Sequence, residues 1–137
     1  LVELEDCINF LLTKAQASVN LRLKEMLAEN DLTPVHCGVL NSLYRTDGMS
    51  LKALADELSV NASTMTGIID RMSAKELVER QPDPSDRRAL AVFLLPKGRE
   101  LEDYVTQSVY RSNKIFLADF TEEEKITLKN FLLRLYK

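Results

Sequence analysis

Apolar residues recur at helical spacing along the start of the chain. Leu4, Ile8, Leu11, Ala15, Val19 and Met26 follow one another at steps of mostly three and four. Leu1, Leu12, Leu23 and Leu27 widen that stripe beyond what one neighbouring helix would cover. Thr33 followed by Pro34 supplies an N-cap and a proline at the first helical position, which predicts a second helix. It carries Val35, Val39, Leu40 and Leu43 and should stop near Gly48. Ser50 can cap a short third helix, in which Leu51, Leu54, Ala55 and Leu58 sit at i, i+3, i+4 and i+7. Ser59-Val60-Asn61 makes the break, Asn61 caps the next helix, and Met65, Ile68, Ile69 and Met72 repeat the same buried pattern. Two short amphipathic helices joined by about three residues are what a helix-turn-helix requires.

The pattern then changes period. Leu77 to Gln81 can form one strand and Ala89 to Leu95 a second, with Pro82-Asp83-Pro84-Ser85-Asp86-Arg87-Arg88 as the hairpin tip between them. A hairpin directly after a helix-turn-helix predicts a winged helix. Near the C-terminal end, Thr121 and Glu124 form a capping box, and Glu122 and Glu123 suit the positive end of the helix dipole. Beyond it, Ile126, Leu128, Phe131, Leu132, Leu133, Leu135 and Tyr136 place seven apolar residues in eleven positions. That is more than one face. In a chain this short, a second copy is the natural cover for it.

Composition sharpens these expectations. The 137 residues amount to one domain, and 45% hydrophobic with 28% charged residues allows a packed core. Residues 1–33 and 99–137 contain neither glycine nor proline, consistent with helical ends around a mixed middle. The expected fold class is therefore mainly α with a small β-hairpin: a winged helix-turn-helix plus long terminal dimerisation helices. No apolar run approaches the ~18 residues of a membrane span. Glu3, Glu5 and Asp6 are the wrong chemistry for a secretory signal, and a start at Leu1 leaves room for a short missing N-terminal piece. Cys7 and Cys37 read as thiols in a reducing compartment, so a cytoplasmic location is expected. A net charge of −3 and a pI near 5.3 exclude coating of nucleic acid by bulk charge. Binding to DNA must come from a local patch.

The fourth helix offers such a patch. Opposite its buried stripe lie Ser63, Gly67, Asp70 and Ala74, flanked by Thr64, Thr66 and Arg71, at 100° per residue. A flat face studded with hydroxyls can descend into a major groove, where Ser and Thr meet base edges and Asp70 could accept from a cytosine amino group. An ordinary solvent-facing helix rich in Ser and Thr would look the same. The hairpin moves the balance. An arginine there can enter the narrow minor groove beside the helix, and Asp86 can hold its guanidinium by a charge-assisted bond.

The run Leu54-Ala-Asp-Glu-Leu-Ser-Val-Asn-Ala-Ser-Thr-Met-Thr-Gly-Ile-Ile-Asp-Arg-Met72, with Leu77-Val-Glu-Arg, Asp83-Pro-Ser-Asp-Arg-Arg88 and Gly98, resembles the MarR (multiple antibiotic resistance regulator) family. The resemblance covers essentially the whole chain. It implies one winged-helix domain over 1–137, with dimerisation helices about 1–30 and 97–137, the helix-turn-helix about 50–75 and the wing about 77–95. It further implies a sequence-specific transcriptional regulator, commonly a repressor, that binds a palindromic double-stranded DNA operator as a homodimer. Position by position, Ser63, Thr64, Thr66 and Arg71 match the recognition-helix set, and Asp86, Arg87 and Arg88 the wing, with Arg88 the minor-groove arginine. Three departures stand out: Glu76 replaces a glycine that usually ends the recognition helix, Leu95-Pro96 replaces a capping Thr, and Gly67 and Asp70 replace larger or basic residues. Across residues 50–95, six basic residues face seven acidic ones, so affinity must rely on a few placed arginines.

Members of the family often respond to small aromatic anions, or to oxidants through a cysteine early in the first helix. A small aromatic or anionic effector is thus an implied partner, with His36 as a candidate ligand-binding residue; a hydrogen-bonded helix histidine is the alternative. Cys7 lies two residues before the Asn9-Phe10-Leu11-Leu12 run, about 200° around a helix from where the family's oxidant sensors carry their thiol. A thiol-based oxidant sensor of the same fold remains the alternative function, as does a winged helix used for protein contact. No phosphate loop, dinucleotide fingerprint or cluster of metal ligands occurs, so no enzyme, cofactor or metal is expected.

Overall fold

Local capping decides where the helices start. A computed structural model of the chain describes residues 1–136; Lys137, the end of the expected terminal helix, lies outside the described residues. Helix α1 runs from Ile8 to Leu27, later than the start expected at residue 1, because Leu4–Asp6 form a single 3₁₀ turn and Cys7 is extended. A second 3₁₀ turn, Ala28–Asn30, closes it. Helix α2 (Pro34–Arg45) begins at the Thr33 cap, and α3 (Leu51–Glu57) at Ser50, whose hydroxyl accepts the Ala53 N–H at 3.0 Å. Helix α4 (Ala62–Ala74) is capped by Asn61 as expected. After the hairpin, α5 (Pro96–Glu100) carries proline in its first turn, and α6 (Glu102–Phe116) follows with a break at Leu101. Thr121 and Glu124 close the capping box of α7 (Glu122–Leu135).

The hairpin strands are β2 (Val78–Asp83) and β3 (Asp86–Leu94), paired antiparallel from Val78↔Leu94 to Pro82↔Leu90. A third strand, β1 (Met49–Ser50), pairs with β3 through Met49↔Val92 and gives the order β1-β3-β2. The amphipathic stripes meet beneath this sheet. Leu40, Leu43, Leu54, Met65, Ile69, Met72, Val78, Val92 and Val105 are fully buried in one cluster. Burying each such side chain contributes roughly 1.5–3 kcal/mol before entropy is charged against it. The terminal helices are different. Helix α7 buries no residue and α1 buries only Leu27, leaving Ile8, Leu11, Ile126, Phe131, Leu133 and Leu135 exposed.

Three helix ends turn through the left-handed region without glycine: Asp31 (φ 54°), Ser59 (φ 55°) and Glu76 (φ 61°). Glu76 stands where the family usually has a glycine, a departure expected to leave α4 to end without a left-handed cap or to run on slightly. It forms one nonetheless, with Glu76 N–H donating to Ser73 O and Leu77 N–H to Met72 O at 3.0 Å each. Leu77 and Met72 are both buried in the core cluster, and that burial together with the two hydrogen bonds holds Glu76 in a conformation its Cβ disfavours. Glu76→Gly is therefore expected to stabilise the fold by about 1 kcal/mol, the left-handed penalty less the greater freedom of unfolded glycine. A urea midpoint at or below that of the wild type would refute this.

Candidate nucleic-acid interface

The polar face of α4 is ordered by its own hydrogen bonds. Asn61 Oδ1 accepts the Thr64 N–H at 2.8 Å and the Ser63 hydroxyl at 2.9 Å. The Thr66 hydroxyl donates back to Ala62 O at 3.0 Å. Ser63 and Thr66 have thus committed their protons within the helix and present lone pairs outward, whereas the Thr64 hydroxyl makes no bond among the described residues. Ser63, Thr64, Asp70, Arg71 and Ala74 are exposed, and Met65, Ile68, Ile69 and Met72 are buried. An added Cβ at Gly67 would meet only Arg71 Nη1, at 3.6 Å, so the Arg71 side chain lies back along the helix over the glycine.

Asp70 is not a free acceptor. Its Oδ1 takes an ion pair from Arg80 of β2 at 2.7 Å, which alters the expectation that it would face a cytosine unencumbered. The wing also departs from expectation. Its strands run further, so the turn shrinks to Pro84-Ser85 and Arg87 and Arg88 stand within β3 and not in a loop tip. The cause is local: Asp83 Oδ1 accepts both the N–H and the hydroxyl of Ser85, at 2.9 and 2.8 Å, and those bonds hold its pKa below the usual carboxylate value. Asp86 Oδ1 accepts the Arg88 backbone N–H at 3.0 Å, while Arg88 Nε stands 3.6 Å away, too long for a hydrogen bond. Asp86 therefore shapes the strand and does not clamp the guanidinium. Arg88 is 94% exposed, and successive strand positions send Arg87 and Arg88 to opposite faces.

The base of the wing is tied down by residues that the sequence did not flag. Asp47 Oδ1 accepts the N–H groups of Gly48 (3.0 Å) and Leu94 (2.9 Å), and its Oδ2 takes Arg99 Nη2 at 2.6 Å. Tyr44 donates its hydroxyl to Gly98 O at 2.6 Å, and burial pushes its pKa upward. Beside Tyr44, a crevice of about 540 Å³ opens between α2, α3 and α6, lined in part by Asn41, Arg45, Glu57, Glu102 and Thr106, with Arg45 and Glu57 ion-paired. His36 is not among its lining residues. It is 3% exposed and completes the α2 cap: Thr33 N–H donates to His36 Nδ1, and His36 N–H to Thr33 Oγ1, each at 3.3 Å. The hydrogen-bonded helix histidine is the reading this geometry supports. Cys37 is buried, and burial pushes its thiol pKa up, away from reactivity; Cys7 is half-buried at the start of α1.

Burial, followed by the cations of Lys75 and Arg71, holds His36 below its ordinary pKa of 6.5, with Asp31 opposing. The folded protein thus binds fewer protons here than the unfolded chain. Stability is full above the unfolded value and falls as the pH drops through about 6.5 and lower. His36→Gln keeps a capping-box acceptor without a titrating ring. Its urea midpoint is expected to fall less than that of the wild type between pH 7 and pH 5; equal falls would refute the assignment.

A three-helix core with a helix-turn-helix and an antiparallel hairpin defines a winged-helix DNA-binding fold. A model of the MarR family matches residues 32–90. The uncharacterized HTH-type transcriptional regulator YsmB of Bacillus subtilis is 33% identical over 123 residues, 87% of this chain and 82% of that protein. The transcriptional repressor CouR bound to a 23-mer DNA duplex superposes with a TM-score of 0.89 at 24% identity, over 98% of this chain and 96% of that one. CouR from Rhodococcus jostii RHA1 bound to p-coumaroyl-CoA superposes with a TM-score of 0.85 at 23% identity, over 98% and 95%. The chain belongs to the MarR family and is a transcriptional regulator of the helix-turn-helix type. No helix among the described residues is long and apolar enough to cross a membrane.

Proposed function

We propose that the protein is a homodimeric repressor that reads a palindromic operator with α4 in the major groove and the wing in the adjacent minor groove. The observation that carries this is the exposure of Arg87 and Arg88 on a hairpin standing beside the hydroxyl face of α4. Thr64 has both donor and acceptor free for a base edge, Ser63 and Thr66 offer acceptors, and Arg71 can reach a phosphate or a guanine. Arg88 enters the minor groove, drawn by its potential, with Asp86 setting the strand beneath it. The DNA-bound state of CouR supports the reading.

The second copy covers the terminal helices. A groove of about 610 Å³, lined by Val19 of α1, Phe116 of α6 and Ile126, Leu132 and Leu133 of α7, is apolar along most of its length. Exposed apolar surface of that extent marks an interface. The crevice beside Tyr44 and Arg45 is the place for a small anionic or aromatic effector that releases the operator, in keeping with the ligand held by CouR. Light scattering is expected to give about twice 15.6 kDa. Footprinting on the DNA upstream of its own gene should protect two half-sites centred about one helical turn apart. A stable folded monomer, or protection of a lone half-site, would overturn the reading.

A further inference from the structure

We infer that Arg80 is a positioning residue for DNA binding: by pairing with Asp70 it fixes the angle between the wing and the recognition helix. This rests on the DNA-binding reading above. The hairpin has few anchors. Val78 and Val92 are fully buried, but further out Gln81, Pro82, Arg87, Arg88 and Leu90 are exposed, so the outer hairpin stands clear of the core. Arg80 pairs with Val92 in the sheet, at the border between the anchored and the free part. Its guanidinium reaches Asp70 Oδ1 at 2.7 Å, and among the described residues it forms the ion pair that joins α4 to the wing. Arg80 is 35% and Asp70 52% exposed, so the pair is partly shielded and held by ordered backbone on both sides.

The lever arm gives the pair its importance. Arg88 lies four residues beyond Val92, about 13 Å along the strand at ~3.3 Å per residue, so a tilt of about 5° at Arg80 moves it by about 1 Å. A duplex offers its major and minor grooves at a fixed separation. A wing free to tilt must be ordered on binding, and that cost comes out of the affinity. The ion pair makes that payment during folding. It also neutralises the one carboxylate on the outward face of α4.

Positioning and direct contact predict opposite results for Asp70. If Arg80 simply bound a phosphate, Asp70→Ala would free it for that contact and remove a negative charge, so binding would tighten. If the pair sets the wing, Asp70→Ala weakens binding even though an acidic group has left the interface. The experiment uses the full-length protein and a duplex selected by it from a random-sequence pool. Asp70→Ala and Arg80→Ala are each expected to weaken binding by about tenfold, and the double variant by no more than the weaker single, because both break one coupling. In the free proteins, amide exchange over residues 80–90 should quicken in both variants while the α4 amides keep their protection. Unchanged or tighter binding by Asp70→Ala, additive losses in the double variant, or unchanged wing exchange would each overturn the inference. Failure of the wild type to select any duplex would strike the DNA-binding reading itself, whereas wing exchange tests the clamp without DNA.

Discussion

Gly98→Ala is expected to cost about 3 kcal/mol of stability, at the upper end of what overpacking does in a well-filled site. The new Cβ would stand 2.3 Å from the carbonyl oxygen of Leu77 and 3.2 Å from its carbon. Neither backbone can give way. Leu77 O already accepts the Leu95 N–H at 3.0 Å, and Gly98 O accepts the Tyr44 hydroxyl at 2.6 Å. Relief would have to part α5 from the root of the wing. For a chain of this size the melting temperature should fall by roughly 10 °C. Gly67→Ala is the control, since its Cβ would meet only the mobile end of Arg71; helix propensity there favours alanine by about 1 kcal/mol. A Gly98→Ala protein melting within about 2 °C of the wild type would refute the close contact.

Arg88→Ala is expected to weaken operator binding by about 10- to 100-fold, the range for losing one well-placed groove contact. Because a minor-groove arginine reads width and potential, the loss should extend across many operator variants. The dependence on salt should become shallower by about one counterion. Thr64→Val is the contrasting change. It removes an exposed hydroxyl of α4 that has no partner among the described residues, at a cost of about 1–3 kcal/mol on the preferred site, with relaxed preference at one position per half-site. The salt slope should stay where it was. An Arg88→Ala dimer with unchanged affinity and slope would reduce the wing to a solvated hairpin.

Helix starts were legible because a cap acts over three or four residues. Thr33, Ser50, Asn61 and Thr121 each accept the N–H expected of them; the stripe of α4 buries all four residues its spacing marks, and that of α3 buries Leu54 and Ala55 and half-buries Leu51 and Leu58. The candidate site was legible to the same depth: the sequence put Ser63, Thr64, Thr66 and Arg71 on one helix and two arginines on the following hairpin, and the structure has them on α4 and β3. It misjudged the hairpin itself, because the bonds from Asp83 to Ser85 and from Asp86 to the Arg88 backbone extend the strands into a stretch that reads as loop by its prolines. The left-handed Glu76 was missed for a related reason. A residue's intrinsic cost is visible in the sequence, but the burial of Leu77 and Met72 that offsets it is not.

The sequence by itself determined where the capped helices start, the buried stripes of the central helices, and the chemistry available on the outward face of α4, because periodicity and capping are properties of neighbouring residues. Only the tertiary structure decided how these pieces are oriented. Asp47 meets Leu94 and Arg99, Tyr44 meets Gly98, Arg80 meets Asp70, and the two residues of β1 find an edge of β3. Each of those contacts joins residues from different elements, ten to more than fifty positions apart. Hydrogen bonds and ion pairs of that kind leave no period in the chain, since they depend on where the packed core brings two backbones together and not on what stands next to either residue.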